Sequence, residues 1–248
     1  MLPHIHFTLS GYAIMVGVGV FFALSLAYRR NQRFNFSLKE LIVLIIANCL
    51  GVLVGSKLLF FVVMLPEWIM NFSFRELLER IVTSGFVFYG GLLGALLATY
   101  ISCKVMVLDT KRVFNFLVPI YLAFHACGRI GCLLGGCCYG KESVIGFVMK
   151  DGVRRFPVQL LESLCILAIL FVVVRVEKRR ETASLLKVYL PIYALCRFCL
   201  EYLRGDEIRG IWGFFSTSQL VSISIIVVIV IGEICRRIKK KKVVEEKI

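Results

Sequence analysis

Arg197, Glu201 and Arg204 stand four and three residues apart, a spacing that sets all three on one face of a helix. His125 and Arg129 repeat the spacing of four, and Glu162 and Lys57 complete a set of ionisable residues embedded in otherwise apolar sequence. A charge at the centre of a hydrocarbon-spanning helix costs roughly 2.5–3.5 kcal/mol on insertion scales, so such residues mark function by default. Structural ion pairs are the simpler reading for Glu201 with Arg197 and for Glu162 with a partner. Arg129 and Arg204 then remain as excess buried positive charge, which calls for an anion. In a membrane the abundant anion is a phospholipid phosphate, and a guanidinium grips a phosphate with two parallel N–H donors.

Small residues surround these arginines. Gly128 and Gly131 flank Arg129 and lead into Gly135-Gly136, while Gly90, Gly91 and Gly94 form a similar run earlier in the chain. Glycines at this spacing let helices pack closely; beside Arg129 they also leave room for a lipid backbone. Ten cysteines are present. Most fall in apolar stretches, where cysteine packs as a small hydrophobe, and Cys196-Arg197-Phe198-Cys199 is read the same way. Cys132, Cys137 and Cys138 flank the Gly135-Gly136 turn instead. No Cys-x-x-Cys pair brackets that turn and His125 has no second imidazole near it, so the reading is no metal and no cofactor.

The elements that must position these residues follow from composition. Of 248 residues, 59% are hydrophobic and 19% charged, and the mean hydropathy is +0.84. That is too apolar for a soluble globule or a disordered chain. The net charge of +14 does not make a nucleic-acid binder of so hydrophobic a sequence, and no nucleic-acid partner is expected. The composition predicts an all-α integral membrane protein with seven transmembrane helices, at about Leu9–Tyr28, Leu41–Leu65, Val82–Val107, Val113–Leu134, Val158–Val174, Leu185–Leu203 and Trp212–Cys235. The first stretch, followed by Arg29, Arg30 and Arg33, reads as an uncleaved span. Basic clusters at Arg29–Lys39, Lys104–Arg112, Arg175–Lys187 and Arg236–Lys247 outweigh Arg75, Arg80, Lys141, Lys150, Arg154, Arg155, Arg204 and Arg209 in the alternate segments. They predict the N-terminus outside and the C-terminus in the cytoplasm. The chain reads as a single membrane domain over 1–248, with an outer loop at about 135–157 suited to contacting substrate and a basic tail at about 236–248 that anchors topology and touches anionic lipid. A monomer is assumed.

With these residues in place, the chain resembles the phosphatidylglycerol:prolipoprotein diacylglyceryl transferases, bacterial inner-membrane enzymes with seven spans. The resemblance runs in order through Tyr12 and Gly19, Gly55-Ser56-Lys57-Leu58, Phe88-Tyr89-Gly90-Gly91-Leu92 and Gly128-Arg129-Ile130-Gly131. It continues through Pro157 to Glu162, with Gln159 inside that run, then Tyr193 to Arg197, Glu201 to Arg204, and Ser218-Gln219-Leu220. It implies transfer of the diacylglyceryl unit of phosphatidylglycerol to the lipobox cysteine thiol of a prolipoprotein, forming a thioether and releasing glycerol phosphate. Arg129 and Arg204 would polarise the phosphate, with Tyr89 or His125 as the base. Tyr12, Gly90, Gly91, Gly128, Gly131, Cys132, Gln159, Glu162, Arg197 and Glu201 would line the substrate site. Three positions depart from the family pattern: Tyr89 stands where the family has histidine, Cys132 where it has asparagine, and Gly135-Gly136-Cys137 where it has Asn-Gly-Glu. Two other classes compete with this reading. One is a lipid-binding or transport protein without catalysis, and the other a membrane thiol oxidoreductase using Cys132, Cys137 and Cys138.

Overall fold

The computed structural model describes residues 10–70, 87–149, 152–180, 182–205, 211–212 and 214–245. The basic positions Arg75, Arg80, Lys150, Arg209 and Lys247 lie outside the described residues, as do Leu9 and the first residues of the stretch beginning at Val82. The helices are α1 (Gly11–Phe34), α2 (Leu38–Met70), α3 (Phe88–Val105), α4 (Thr110–Gly135), α5 (Val158–Arg179), α6 (Leu185–Leu200) and α7 (Thr217–Glu245). Among the described residues, six are long and apolar enough to cross a membrane: all but α6. At 16 residues, α6 is about 24 Å long, short of the ~30 Å hydrocarbon thickness; the 3₁₀ turn Glu201–Leu203 continues it.

Two short antiparallel hairpins are added to this helical body. Strand β1 (Glu142–Val148) pairs with β2 (Arg154–Arg155) inside the predicted outer loop. Strand β3 (Ile211–Trp212) pairs with β4 (Phe215–Ser216), so the last helix starts at Thr217 rather than at Trp212. There Ser216 and Gln219 exchange bonds across the first turn: the Ser216 N–H donates to Gln219 Oε1 (3.0 Å) and the Gln219 N–H to Ser216 Oγ (3.2 Å). This reciprocal cap ends the strand and begins the helix.

The distribution of polarity is inverted relative to a soluble protein. Arg129, Glu162, Arg197, Glu201 and Arg204 are 6%, 2%, 4%, 3% and 7% exposed, while Phe21, Ile46, Leu58, Phe171 and Val228 face outward. Apolar side chains outside and ion pairs inside are what a lipid solvent selects.

The chain forms two compact units. The first comprises Met1–Arg30, Leu117–Ile208 and Ser222–Ile248, and the second Asn31–Phe116 and Arg209–Val221. In the first, the buried side of α5 recurs at three-to-four spacing through Gln159, Glu162, Ser163, Ile166, Ile169 and Val173. The Arg30 fork meets both oxygens of Glu177 at 2.7 and 2.9 Å, tying α1 to the far end of α5. In the second unit, α2 and α3 pack through glycine. A Cβ on Gly55 would run into the Gly90 carbonyl, one on Gly90 into that of Gly55, and one on Gly94 into that of Gly51. Thr99 Oγ1 donates to Asn48 Oδ1 at 3.1 Å across the same seam.

Candidate functional site

The first unit collects most of the ionisable residues singled out in the sequence. Helix α4 supplies His125 and Arg129, α5 supplies Glu162 and Gln159, and the run from α6 into the 3₁₀ turn supplies Tyr193, Arg197 and Glu201; the helical face expected from the spacing ends there, because Arg204 follows the turn in extended backbone bridged to Gly140. Glu162 is the hub. Its Oε1 lies 3.1 Å from Arg129 Nη2 and 3.9 Å from Arg197 Nε, and it accepts a hydrogen bond from the Tyr193 hydroxyl at 3.0 Å. Arg197 Nη1 meets Glu201 Oε2 at 2.7 Å, one turn along the same helical face. Arg204 contributes to the field at Glu162, and its N–H donates to the Glu201 carbonyl at 3.2 Å. Among the described residues the cluster therefore holds three guanidiniums and two carboxylates in a buried place.

His125 is committed to this network. Arg129 Nε–H donates to His125 Nε2 at 3.3 Å, so the ring's acceptor nitrogen is occupied and its proton sits on Nδ1. The ring packs edge-on against Tyr193, with centroids 5.3 Å apart. Tyr193 was not among the site residues expected from sequence, yet it lies four residues before Arg197 on the same face.

Space beside Arg129 is uneven. A Cβ on Gly128 would meet nothing within 4 Å among the described residues, whereas one on Gly131 would stand 3.2 Å from the Tyr12 ring and 3.3 Å from Met15 Cβ. Gly131 therefore seats α1 against α4, and Tyr12 is placed over that contact. The open side of α4 is at Gly128. Tyr89, Gly90, Gly91 and Lys57 belong to the second unit. There Tyr89 is buried at the start of α3 with the Phe88 ring edge-on at 5.9 Å, and Gly90 and Gly91 face α2, with Ser56 Oγ 2.8 Å from where a Gly91 Cβ would be.

The end of α4 brings in the cysteines. The Cys137 N–H donates to the Cys132 carbonyl at 3.1 Å and the Gly136 N–H to that of Leu133 at 3.2 Å, with Gly136 at φ 74°. This is a Schellman closure, in which a left-handed glycine folds the chain back over the last helical turn. It returns Cys137 to Cys132, and the three sulfurs of Cys132, Cys137 and Cys138 lie within 4.8 Å of one another. Gln159 Nε2 donates to the Cys137 carbonyl at 2.8 Å and holds the turn against α5. Hydrogen bonds with the Cys132 and Cys137 thiols, together with the nearby Arg204 and Arg129 guanidiniums, hold the Cys138 thiol below its ordinary range. Beyond the turn, Lys141 N–H donates to the Leu203 carbonyl and Gly205 N–H to that of Tyr139, at 2.9 and 3.0 Å. The outer loop is thereby stitched to the segment carrying Arg204. The close approach requires glycine: a Cβ on Gly140 would strike the Phe156 carbonyl.

Comparison with known proteins gives the family of the chain. Residues 1–235 match the sequence profile of the family described as "Prolipoprotein diacylglyceryl transferase". The phosphatidylglycerol–prolipoprotein diacylglyceryl transferase of Clostridium tetani is 29% identical over 227 residues, covering 88% of this chain and 89% of that protein. Enzyme 2 of the same description from Clostridium perfringens is 31% identical over 225 residues, covering 87% and 86%. The corresponding protein of Finegoldia magna is 28% identical over 228 residues, covering 90% and 89%.

Proposed function

This chain belongs to the prolipoprotein diacylglyceryl transferase family, and from that premise we propose that it moves the diacylglyceryl unit of phosphatidylglycerol onto the lipobox cysteine thiol of a prolipoprotein. The reaction is a displacement at carbon: the substrate's thiolate forms a C–S bond, the C–O bond to phosphate breaks, and glycerol phosphate leaves. A leaving phosphate gains charge in the transition state, and preorganised cations aimed at it lower the barrier. The observation that carries this reading is a buried cluster in which, among the described residues, three guanidiniums gather with two carboxylates, Glu162 and His125 fix Arg129, and space opens at Gly128 beside it.

Arg129 and Arg204 take the phosphate. Arg129 is fixed by Glu162 and His125, and a guanidinium held in one plane presents the fork geometry that suits a bidentate phosphate contact. Glu201 holds Arg197, and Arg197 shares Glu162 with Arg129, so the second ion pair is a brace for the first. His125 positions Arg129 through its occupied Nε2. Tyr89 stays the residue proposed to take the thiol proton from its place in the family pattern alone. Family membership favours the transferase over a non-catalytic lipid binder and over a thiol oxidoreductase.

The basic clusters support an N-out, C-in orientation with α6 and its 3₁₀ extension as a seventh, short span, in the cytoplasmic membrane of a bacterium. One protomer carries all the residues invoked. The test is purified protein in detergent given phosphatidylglycerol and a lipobox peptide, with released glycerol phosphate measured. Release from the unaltered chain is expected, and its absence would overturn the assignment.

A further inference from the structure

None of Cys132, Cys137 and Cys138 is needed as the nucleophile of the transfer, because the attacking thiol belongs to the substrate. Their arrangement nevertheless depends on several independent devices. The Schellman closure returns Cys137 to Cys132, Gly136 supplies the left-handed backbone at φ 74°, and Cys138 itself adopts φ 56°, a conformation uncommon for any residue but glycine. Gln159 then clamps the Cys137 carbonyl. The Gln159 side chain is 1% exposed, and its Oε1 makes no hydrogen bond among the described residues. A buried amide oxygen left unbonded is destabilising, and it sits in the very side chain that holds the cysteine turn.

We propose that Cys132, Cys137 and Cys138 form a binding site for one soft, thiophilic metal ion of the Zn(II) or Cu(I) type, held by three thiolates. The three sulfurs lie within 4.8 Å of one another. Around a tetrahedral ion with bonds of about 2.3 Å, sulfurs stand about 3.8 Å apart, so the trio needs to close by only about an ångström. Thiolate-only donor sets select soft ions over Mg(II) or Ca(II). Three thiolates around a divalent ion carry a net single negative charge, and Arg204 and Arg129 both act on Cys138 to offset it. Cys137 is exposed and gives the ion a way in. Three protein ligands leave one position of a tetrahedral ion open.

The probe is Cd(II), added to the reduced, full-length protein in detergent without lipid substrate, so the outcome is separate from that of the transferase assay. One Cd(II) per chain is expected, with a thiolate-to-metal charge-transfer band, and Cd(II) should displace Zn(II) loaded beforehand. Cys132→Ser, Cys137→Ser and Cys138→Ser should each lose the three-thiolate band, and Cys49→Ser and Cys235→Ser should keep it. Because a serine variant can fail to fold, the unaltered protein is also alkylated with iodoacetamide and mapped by mass spectrometry. Zn(II) should protect Cys132, Cys137 and Cys138 together and leave Cys49 and Cys235 reactive. Absence of stoichiometric Cd(II) binding, a band that survives loss of all three thiols, or alkylation of the trio undiminished by Zn(II) would each overturn the proposal.

Discussion

The charge balance of the buried cluster predicts that two substitutions at one ion pair do opposite kinds of damage. Arg129→Ala leaves Arg197 and Arg204 facing Glu162 and Glu201, a neutral set, and Glu162 keeps Arg197 at 3.9 Å and the Tyr193 hydroxyl at 3.0 Å. Glu162→Gln keeps the shape but leaves three guanidiniums facing one carboxylate. Removing one partner of a buried pair so that charge is stranded costs about 3–5 kcal/mol. At about 2–4 °C per kcal/mol for a chain of this size, Glu162→Gln should unfold roughly 6–20 °C lower in a detergent melt, and Arg129→Ala should fall by clearly less. Activity should reverse the order. Loss of a single transition-state donor costs on the order of 10²–10³ in kcat; Arg129→Ala should therefore lower glycerol phosphate release at least a hundredfold in protein that remains folded. If Arg129→Ala melted as early as Glu162→Gln and lost activity only in proportion to lost fold, Arg129 would be a structural partner, and the excess charge would have no claim on a substrate.

Further expectations concern the residues around this pair. Gly128→Leu fills the open side of α4 and should raise the KM for phosphatidylglycerol with little effect on the melt; an unchanged KM would place the lipid elsewhere. His125→Ala should lower kcat about tenfold by freeing Arg129 and leave the pH profile in place, whereas Tyr89→Phe should lower kcat at least a hundredfold, within the usual range for loss of a general base. Full turnover in Tyr89→Phe would exclude it as the base.

The ionisable residues were legible because hydrocarbon makes them conspicuous: Arg129, Glu162, Arg197, Glu201 and Arg204 stand out in apolar stretches, and the structure gathers them in one unit. Which carboxylate serves which arginine was not legible. The Glu162 contacts to Arg129 and Tyr193 join α5 to α4 and α6, and no local spacing encodes a contact between separate helices. Tyr193 carried a usable signal, since 193, 197 and 201 share one helical face. The cysteine turn carried one too: Cys132 and Cys137 flank Gly136 in the register where a Schellman closure brings two residues together. Reading that interval for Cys-x-x-Cys alone missed it. The β1–β2 hairpin was hidden for a different reason. Val144, Ile145, Phe147 and Val148 are all exposed, so no alternation of buried and solvent-facing residues announces a strand, and the hairpin is closed by backbone bonds, from the Phe156 N–H to the Lys141 carbonyl and from the Met149 N–H to the Val153 carbonyl. The glycines of α3 show that a single motif can serve packing, because Gly90 is required by the Gly55 carbonyl across the α2–α3 seam.

The proposed metal site and the proposed phosphate site share Arg129 and Arg204. A divalent ion with three thiolates is an anion of unit charge, and so is the phosphodiester of phosphatidylglycerol; the same pair of guanidiniums offsets either. The two occupants should therefore oppose one another. Coupling between sites is reciprocal, with typical magnitudes of 1–3 kcal/mol or about 5–150-fold. Saturating Zn(II) should raise the KM for phosphatidylglycerol by a factor in this range. Phosphatidylglycerol, added to the Cd(II) titration, should in turn weaken Cd(II) binding by a factor in the same range. Arg204→Gln removes one of the shared cations and should shrink the coupling in both directions. A Zn(II)-loaded enzyme whose KM is unchanged, alongside confirmed Cd(II) binding at the cysteines, would show that the thiolates and the phosphate draw on different charges.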